Sequence, residues 1–413
     1  MSEIEPMSPK SEFRWLAVIL AIGLLARVMT VIVLDIQPES DSAEYRTMAL
    51  NFIAGKGFVD SMGNLAMYNV GYPLFILAPT FTLLGNHLLP AQLVNALLGV
   101  ASIILCYTIA REVGAGSIGR LLAPAFWALY LPSWVYAEYL AKENLMTPLM
   151  LGTIWCALRL AKRCSLGVTV ICGVLFGLLA LTGNAALSLA PAVVFAIVFA
   201  PANSGRKLFL SGVIGVTALV VAAPWIMRND HVLGAPVLNT NGGFNFYLGN
   251  NPAATGYFVS IAETPRGDSW DALRKIGEVQ ASETLRREAV SWIKQHPSEF
   301  LALTFKKAAL FWMPPFHEGK GPNSTMETLI RRLWLVQFVA LALGAAGSVL
   351  LPSLRTRYVG VLWLSIASYT AVHMLFLVIF RYREPIMPVL CVLTALTVAN
   401  LSTRLGRRAK SIG

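Results

Sequence analysis

Charge is scarce in this chain. Of its 413 residues only 13% are Asp, Glu, Lys or Arg, while 56% are hydrophobic; soluble globular domains carry roughly a quarter of their residues as charges. The deficit excludes an ordinary soluble protein. Cysteine is nearly as rare: Cys106, Cys156, Cys164, Cys172 and Cys391 all fall in apolar runs or in loops expected on the inner side of a membrane, so no disulfide framework is expected. The histidines His87, His231, His296, His317 and His373 are scattered without a metal-ligand spacing such as HExxH, and no Walker loop, Rossmann glycine fingerprint or nucleophile elbow is present. ATP-driven, nicotinamide and serine-nucleophile chemistry therefore have no support. No internal repeat is evident, which removes solenoids.

What is present is apolar sequence in lengths that cross a bilayer, on the order of 20 residues each. Ten spans are expected, at about 16–34, 88–110, 118–135, 143–160, 166–182, 185–200, 208–227, 333–352, 358–380 and 385–402. The first, Leu16 to Leu34, is long for a signal-peptide core and lacks a small-residue cleavage site after it, so a retained anchor is expected. The net charge of +11 is a matter of topology. With a cytoplasmic N-terminus, the inner segments collect Lys10, Arg14, Arg111, Arg120, Arg159, Lys162, Arg163, Arg206, Lys207, Arg355, Arg357 and the basic tail from Arg404 to Lys410, whereas the short outer connections hold only Lys142, Arg381 and Arg383. That asymmetry follows the positive-inside rule and puts both termini in the cytoplasm. No nucleic-acid partner is implied.

Two long segments then face outward, 35–87 and 228–332, and the working face is expected there. The chain divides into a transmembrane core, 1–227, with the first outer loop at 35–87; an outer segment, 228–332; and C-terminal spans with a basic tail, 333–413. Residues Glu299 to Met313 are short for an eleventh span and carry Lys306-Lys307 at their centre, which hydrocarbon disfavours. An interfacial helix is expected instead, with Phe305, Phe311 and Trp312 near the headgroups. Asp268 to Gln295 has the pattern of amphipathic helices, with Trp270, Leu273, Leu285, Trp292 and Ile293 as its apolar positions. The Gly- and Asn-rich run Asn239 to Thr255 indicates turns and loops.

The stretch from Asp41 to Phe58 places Tyr45, Met48, Ala49, Phe52 and Ile53 on one stripe, ended by Gly55 and Gly57, which predicts a short surface helix over 43–54. Asp41, three residues before Glu44, fits a capping box and equally fits a reactive carboxylate. Arg27 lies deep within the first span, where an ionisable residue faces a polar cavity or a partner unless it snorkels. Glu138, Lys142 and Glu143 share the outer connection between the third and fourth spans. The segment after Tyr68-Asn-Val-Gly-Tyr72 is too short and Pro-interrupted for a span and is expected to return along the surface. Arg381 and Arg383 break the positive-inside pattern. They fit either as membrane-end anchors or as cations kept outside for a lipid phosphate, and Arg228 offers the same alternative.

In order along the chain, Arg27 in the first span, DSAEY followed by AGKGF, GYPLF, an acidic connection ending in KENL, PWIMRN, GNNPAATGYF and RYREPIMP together resemble the polytopic C-type (GT-C) glycosyltransferases. The likeness is to the bacterial branch similar to protein O-mannosyltransferases and aminoarabinose transferases. The resemblance implies an all-α membrane fold and an enzyme of the bacterial cytoplasmic membrane. Such an enzyme moves a sugar from a polyprenyl-phosphate donor to a glycan, lipid or protein acceptor on the outer side, with inversion. By motif position it implies Asp41 as the catalytic carboxylate, Glu143 or Glu138 as a second acid, and Arg381 and Arg383 beside the carrier phosphate, joined as candidates by Arg228, Lys142 and Arg27. Tyr45, Tyr68, Tyr72, Asn250 and Tyr382 are the candidate groove residues. Met67-Tyr-Asn-Val70 departs from the cationic or Pro-rich stretch that many relatives carry before GYP.

The chemistry fits the residue types on its own terms. A carboxylate can take the proton of an acceptor hydroxyl, and a phosphate leaving group needs nearby positive charge and no proton donor. A divalent metal held by Asp41 and Glu143 is the one cofactor left open. A flippase or transporter would expect repeats, broken helices and ionisable groups at mid-membrane, whereas here the charges cluster outside. A glycan polymerase or ligase would share the same surface site.

Overall fold

The computed structural model describes residues 7–314 and 324–412, with side chains described as far as residue 405. His317 and the side chains of Arg407, Arg408 and Lys410 lie outside the described residues. The described residues are mainly helical. Its elements are α1 (Pro9–Leu34), α2 (Asp41–Ile53), a π-helical turn Pro73–Leu77 running into α3 (Ala78–Leu84), α4 (Leu88–Val113), α5 (Ser117–Ala128), α6 (Leu131–Glu138), α7 (Glu143–Lys162) and α8 (Leu166–Thr182). A 3-10 turn, Asn184–Leu189, leads into α9 (Ala190–Val198), followed by α10 (Ser204–Leu233), α11 (Asn241–Gly249), α12 (Trp270–Lys275), α13 (Glu278–Gln295) and α14 (Pro297–Phe311). The chain ends with α15 (Thr325–Leu350), α16 (Arg357–Leu375), a second 3-10 turn Phe380–Ile386, and α17 (Met387–Ile412). Among the described residues β pairing is limited to an isolated parallel bridge, Tyr257 with Val378.

Among the described residues six segments are long and apolar enough to cross a membrane: α1, α4, α10, α15, α16 and the stretch Phe380–Leu405. This is a multi-pass membrane protein. The other four expected spans are helical too, but shorter, broken or interior. The run 118–135 divides into α5 and α6, because Pro132 in the first turn of α6 starts a new helix. The run 185–200 begins as a 3-10 turn before α9, and α8 has only 17 residues. Helix α7 lies inside the bundle with most of its residues buried, and the first turns of α17, Ile386 to Leu396, are buried nearly all round. A helix apolar on every side belongs in the interior, and these two form the centre of the main hydrophobic cluster.

Close packing of α8 on α10 depends on Gly173 and Gly177, one turn apart. A methyl group at either would meet the Thr217 and Val221 side chains at 2.6 and 2.5 Å, and the Ile214 and Ala218 carbonyls at 2.9 and 2.8 Å. Small residues at this spacing let two membrane helices approach backbone to backbone. The first outer loop is held down in a similar way, since a Cβ on Gly71 would lie 2.3 Å from the Thr182 hydroxyl.

The outer segment departs from expectation at two places. Asn239 to Thr255 is not simply loop, because it contains α11, whose Tyr247 and Leu248 are buried with Leu285 of α13 in one cluster. Its glycines are there for close approach: a Cβ on Gly243 would stand 1.9 Å from the Ser282 carbonyl oxygen and one on Gly249 would stand 2.6 Å from that of Phe376. Residues 299–311 are helical, within α14, with Phe305 and Lys306 exposed. Phe311, however, is buried against Tyr369 and His373 and is not at a headgroup position. The amphipathic helices expected in 268–295 are α12 and α13, which bury Leu273, Ala281, Leu285 and Ala289.

Candidate active site

Three charged side chains from distant parts of the chain meet on one side of the bundle. Asp41 opens α2, Glu143 opens α7, and Arg381 stands in the 3-10 turn that feeds α17. The Arg381 guanidinium forms an ion pair with the Asp41 carboxylate through Nη2, and its Nε stands 3.8 Å from Glu143 Oε1. That second distance is too long for a hydrogen bond, and the buried Nε–H has no acceptor among the described residues. Glu143 is 4% exposed, so its charge is balanced mainly by this one arginine. The guanidinium is over the ring of Tyr382, 5.7 Å from its centroid.

The capping-box alternative for Asp41 is not realised. Helix α2 has Ser40 as its N-cap, without a side-chain cap hydrogen bond, and Ser40 takes a strained φ of 50°. Glu44 instead accepts hydrogen bonds from the Ser61 backbone N–H and hydroxyl. The Asp41 carboxylate is thus committed to a side chain 340 residues away in sequence.

Behind Asp41 the aromatic groove candidates form one cluster. Tyr45 meets Tyr68 and Tyr72 edge to face, each at 5.9 Å, and the Tyr72 hydroxyl donates to Asn95 Oδ1 at 2.9 Å. Burial, reinforced by the Asp41 and Glu143 charges, holds the Tyr45 phenol well above the usual tyrosine range. Burial, with Asp41 and Glu44 adding to it, also pushes Tyr68 up. Both phenols are hydrogen-bonding neutral groups at this site.

Other sequence candidates are placed elsewhere. Glu138 Oε1 accepts from the Ile36 backbone N–H at 2.8 Å, tying the end of α1 to α6. Arg383 is 2% exposed and turned inward. Its Nη1 donates to the Met313 carbonyl at 2.6 Å and its guanidinium packs 4.3 Å from the Phe338 ring centroid, so it anchors the end of α14. Arg228 donates to the Leu65 carbonyl and to Asn229, both at 2.8 Å, clamping the first outer loop. Arg27 is fully buried, donating to Gly23 O and Ser133 Oγ at 2.9 and 2.7 Å. It borders a small cavity of about 30 Å³ that Glu143 and Glu384 also line. Asn250 is buried as well, and accepts from Lys307 Nζ at 3.0 Å while donating to the Phe246 and Leu375 carbonyls. It is a structural hub and not a groove residue.

Beside the three charged groups opens a larger cavity of about 230 Å³, lined by Lys142, Glu143 and Tyr382 together with Asn69, Asn184, Asn239, Asn241 and Asn245. Sequence reasoning missed these asparagines. Their signal was the Asn239-Thr-Asn-Gly-Gly-Phe-Asn245 cluster, which reads as turn chemistry unless the helix is seen. Among the described residues no group of three or more His, Cys, Asp or Glu stands where it could hold a metal ion. The space between Asp41 and Glu143, the pair left open for a metal, is taken by the Arg381 guanidinium.

The fold is that of the C-type membrane glycosyltransferases. The oligosaccharyltransferase AglB of Archaeoglobus fulgidus, solved with an inhibitory peptide and a dolichol-phosphate, superposes with a TM-score of 0.53 at 13% identity over 97% of this chain and 52% of that one. The apo form of the A. fulgidus oligosaccharyltransferase gives 0.56 at 14% identity, over 98% and 52%. The chain thus spans about half the length of these relatives. ArnT from Cupriavidus metallidurans, solved with undecaprenyl phosphate, gives 0.45 at 17% identity over 92% of this chain and 78% of that one. By sequence, residues 72–227 match the family model described as dolichyl-phosphate-mannose-protein mannosyltransferase. No curated protein matches the sequence.

Proposed function

We propose that the protein is a glycosyltransferase that takes a sugar from a polyprenyl-phosphate carrier and transfers it, with inversion, to an acceptor hydroxyl at the outer face of the bacterial cytoplasmic membrane. Both termini are then cytoplasmic. The observation that carries this reading is the Asp41–Arg381–Glu143 cluster beside a polar cavity on a membrane bundle. The family match over residues 72–227, whose description names a lipid-phosphate-linked sugar, supports the same donor class. The acceptor is a glycan, lipid or protein hydroxyl.

In the reaction, the acceptor oxygen attacks the anomeric carbon as the bond from that carbon to the phosphate oxygen breaks. Asp41 takes the acceptor proton, which makes it the general base. The electron pair of the broken bond leaves on the carrier phosphate, an anion that Arg381 and Lys142 stabilise. The Arg381 side chain is 28% exposed, which leaves its guanidinium open to an arriving phosphate. A phosphate on the guanidinium also competes with the Asp41 carboxylate for it, so donor arrival releases the base. Glu143 holds Arg381 from the buried side. Glu138, Arg383, Arg228 and Arg27 are given no part in the step, because each is tied into the fold, through Ile36, Met313, Leu65 and Gly23 respectively.

The test is transfer from a labelled polyprenyl-phosphate sugar in membranes. A transferase releases polyprenyl phosphate and labels an acceptor. Label that crosses the bilayer without forming product would instead mean a transporter, and a requirement for a diphosphate-linked oligosaccharide would mean a polymerase or ligase.

A further inference from the structure

The five asparagines around the larger cavity come from four separate parts of the fold. Asn69 belongs to the first outer loop, Asn184 follows α8, Asn239 precedes α11, and Asn241 and Asn245 lie on its first two turns. Asn69, 4% exposed, donates to Asn184 Oδ1 at 2.9 Å and fixes that amide at the wall. Asn239, Asn241 and Asn245 are half-buried, and among the described residues their side-chain amides make no hydrogen bond. An amide offers two donors and an acceptor with two lone pairs, so three unengaged amides on one cavity suit a ligand that both donates and accepts.

The same cavity is also lined by aromatic residues. Tyr369, His373, Phe376 and Tyr382 contribute to it, and the structure fixes them in place: the Tyr369 hydroxyl donates to the Tyr382 carbonyl at 2.8 Å, and the His373 ring packs on Tyr369 at 4.5 Å. Amides and aromatic rings in one cavity match a sugar ring, whose hydroxyls form the rim and whose C–H faces are apolar. The volume of about 230 Å³ is below the range of roughly 300–1,000 Å³ typical of drug-sized ligands, which limits the occupant to about one ring.

Charge narrows the class further. The cations at this end are Lys142, half-buried on the cavity wall with no ion pair among the described residues, and Arg381. Glu143 is the single acid on the wall, and Arg381 already faces it. On the cavity wall itself a protonated amino group would meet Lys142, an uncompensated cation, and Glu143, whose charge Arg381 already faces.

We infer that this cavity is the subsite for the transferred sugar, that Asn241 and Asn245 hold its hydroxyls, and that it selects a neutral polyhydroxylated hexose over an amino sugar. The inference rests on the glycosyl-transfer reading and names the sugar class for it. Lys142 and Arg381 hold the phosphate at the cavity's edge, and the asparagines hold the ring.

The test is binding of the purified full chain in lipid nanodiscs to decaprenyl phosphate alone and to its glucosyl, mannosyl, galactosyl and glucosaminyl derivatives. At least one neutral hexosyl lipid binds the wild type at least tenfold more tightly than the bare lipid phosphate, and the glucosaminyl lipid shows no such gain. Asn241→Ala combined with Asn245→Ala removes the gain and leaves affinity for the bare lipid unchanged. Gly242→Phe is the second variant: Gly242 lines the cavity on α11 and a Cβ there meets nothing within 4 Å, so the fold accommodates a ring that crowds the cavity. A sugar-dependent gain that survives in both variants overturns the inference and leaves the transferase reading standing, as does a wild type that binds bare lipid phosphate but gains nothing from any neutral hexose. An equal gain for the glucosaminyl lipid overturns the charge selection. Failure of every lipid phosphate to bind overturns the functional reading itself.

Discussion

Asp41→Asn separates chemistry from structure at this site. Asn is nearly isosteric with Asp and tolerated at a helix start, and α2 takes no side-chain cap from Asp41, so the helix is kept. What the fold loses is an ion pair whose partners are 25% and 28% exposed. The pair is partly buried, but Asn keeps an oxygen that accepts from the Arg381 guanidinium and Glu143 still faces it, so the cost is on the order of 1–2 kcal/mol. The chemical loss is larger, because an amide cannot accept the acceptor proton. Removing a general base lowers the rate by about 10²- to 10⁴-fold, about 3–5 kcal/mol of barrier. The assay is the initial rate of transfer at saturating donor, with the thermal unfolding midpoint measured on the same preparation. The expected result is a kcat reduced at least a hundredfold with a midpoint within a few degrees of wild type. If Asp41→Asn keeps more than a tenth of kcat, or loses activity only through a raised donor KM, Asp41 is not the base and Glu143 becomes the candidate.

Arg383→Ala should destabilise the protein by about 2–4 kcal/mol, since the end of α14 loses a buried charged donor. A normal unfolding midpoint with weakened donor binding would return Arg383 to the phosphate site. Lys307 gives a pH signature. Burial without an acidic partner brings its ammonium down from the usual lysine range to about 8, so between about pH 8 and 10.5 the unfolded chain binds more protons than the folded one. Its contribution to stability therefore rises with pH across that window, by at most about 1.4 kcal/mol per pH unit. Unfolding midpoints at pH 7.5 and 9.5 check this, because Lys307→Met should not share the rise. Gly177→Leu should break the α8–α10 seam, with thermal unfolding as the readout and loss of folded protein as the expected outcome.

The sequence pattern made the helix at Asp41, the amphipathic helices within 268–295 and six of the ten expected spans legible, because each is a matter of local period and composition. The two arginines of the last outer turn were not separable in that way. Arg381 and Arg383 have the same chemistry two residues apart, and in an extended turn they would share a side. The segment Phe380–Ile386 is a 3-10 turn, with three residues per turn, so side chains two apart diverge by about 120°. One reaches Asp41 and the other enters the core. Glycine misled in the opposite direction. Gly242, Gly243 and Gly249 read as punctuation, yet they lie in a helix, and at Gly243 and Gly249 tertiary contacts leave no room for a methyl group. Such contacts have no local signature.

Helix ends explain why the site assembles where it does. Asp41 and Glu143 each occupy the first residue of a helix, where the N-terminal end of the dipole favours negative charge. Both acids are therefore tolerated without a metal or a dedicated partner apiece. Arg381 is then the group on which the arrangement turns. It reaches both carboxylates, so a phosphate added to the site would share an existing cation and need no new one buried. That economy matters at a membrane surface, where each further unpaired charge withdrawn from water costs several kcal/mol. In the proposed mechanism it also ties the base to the donor: as long as no phosphate is present the carboxylate of Asp41 is engaged, and its release accompanies the arrival of the substrate it is to act on.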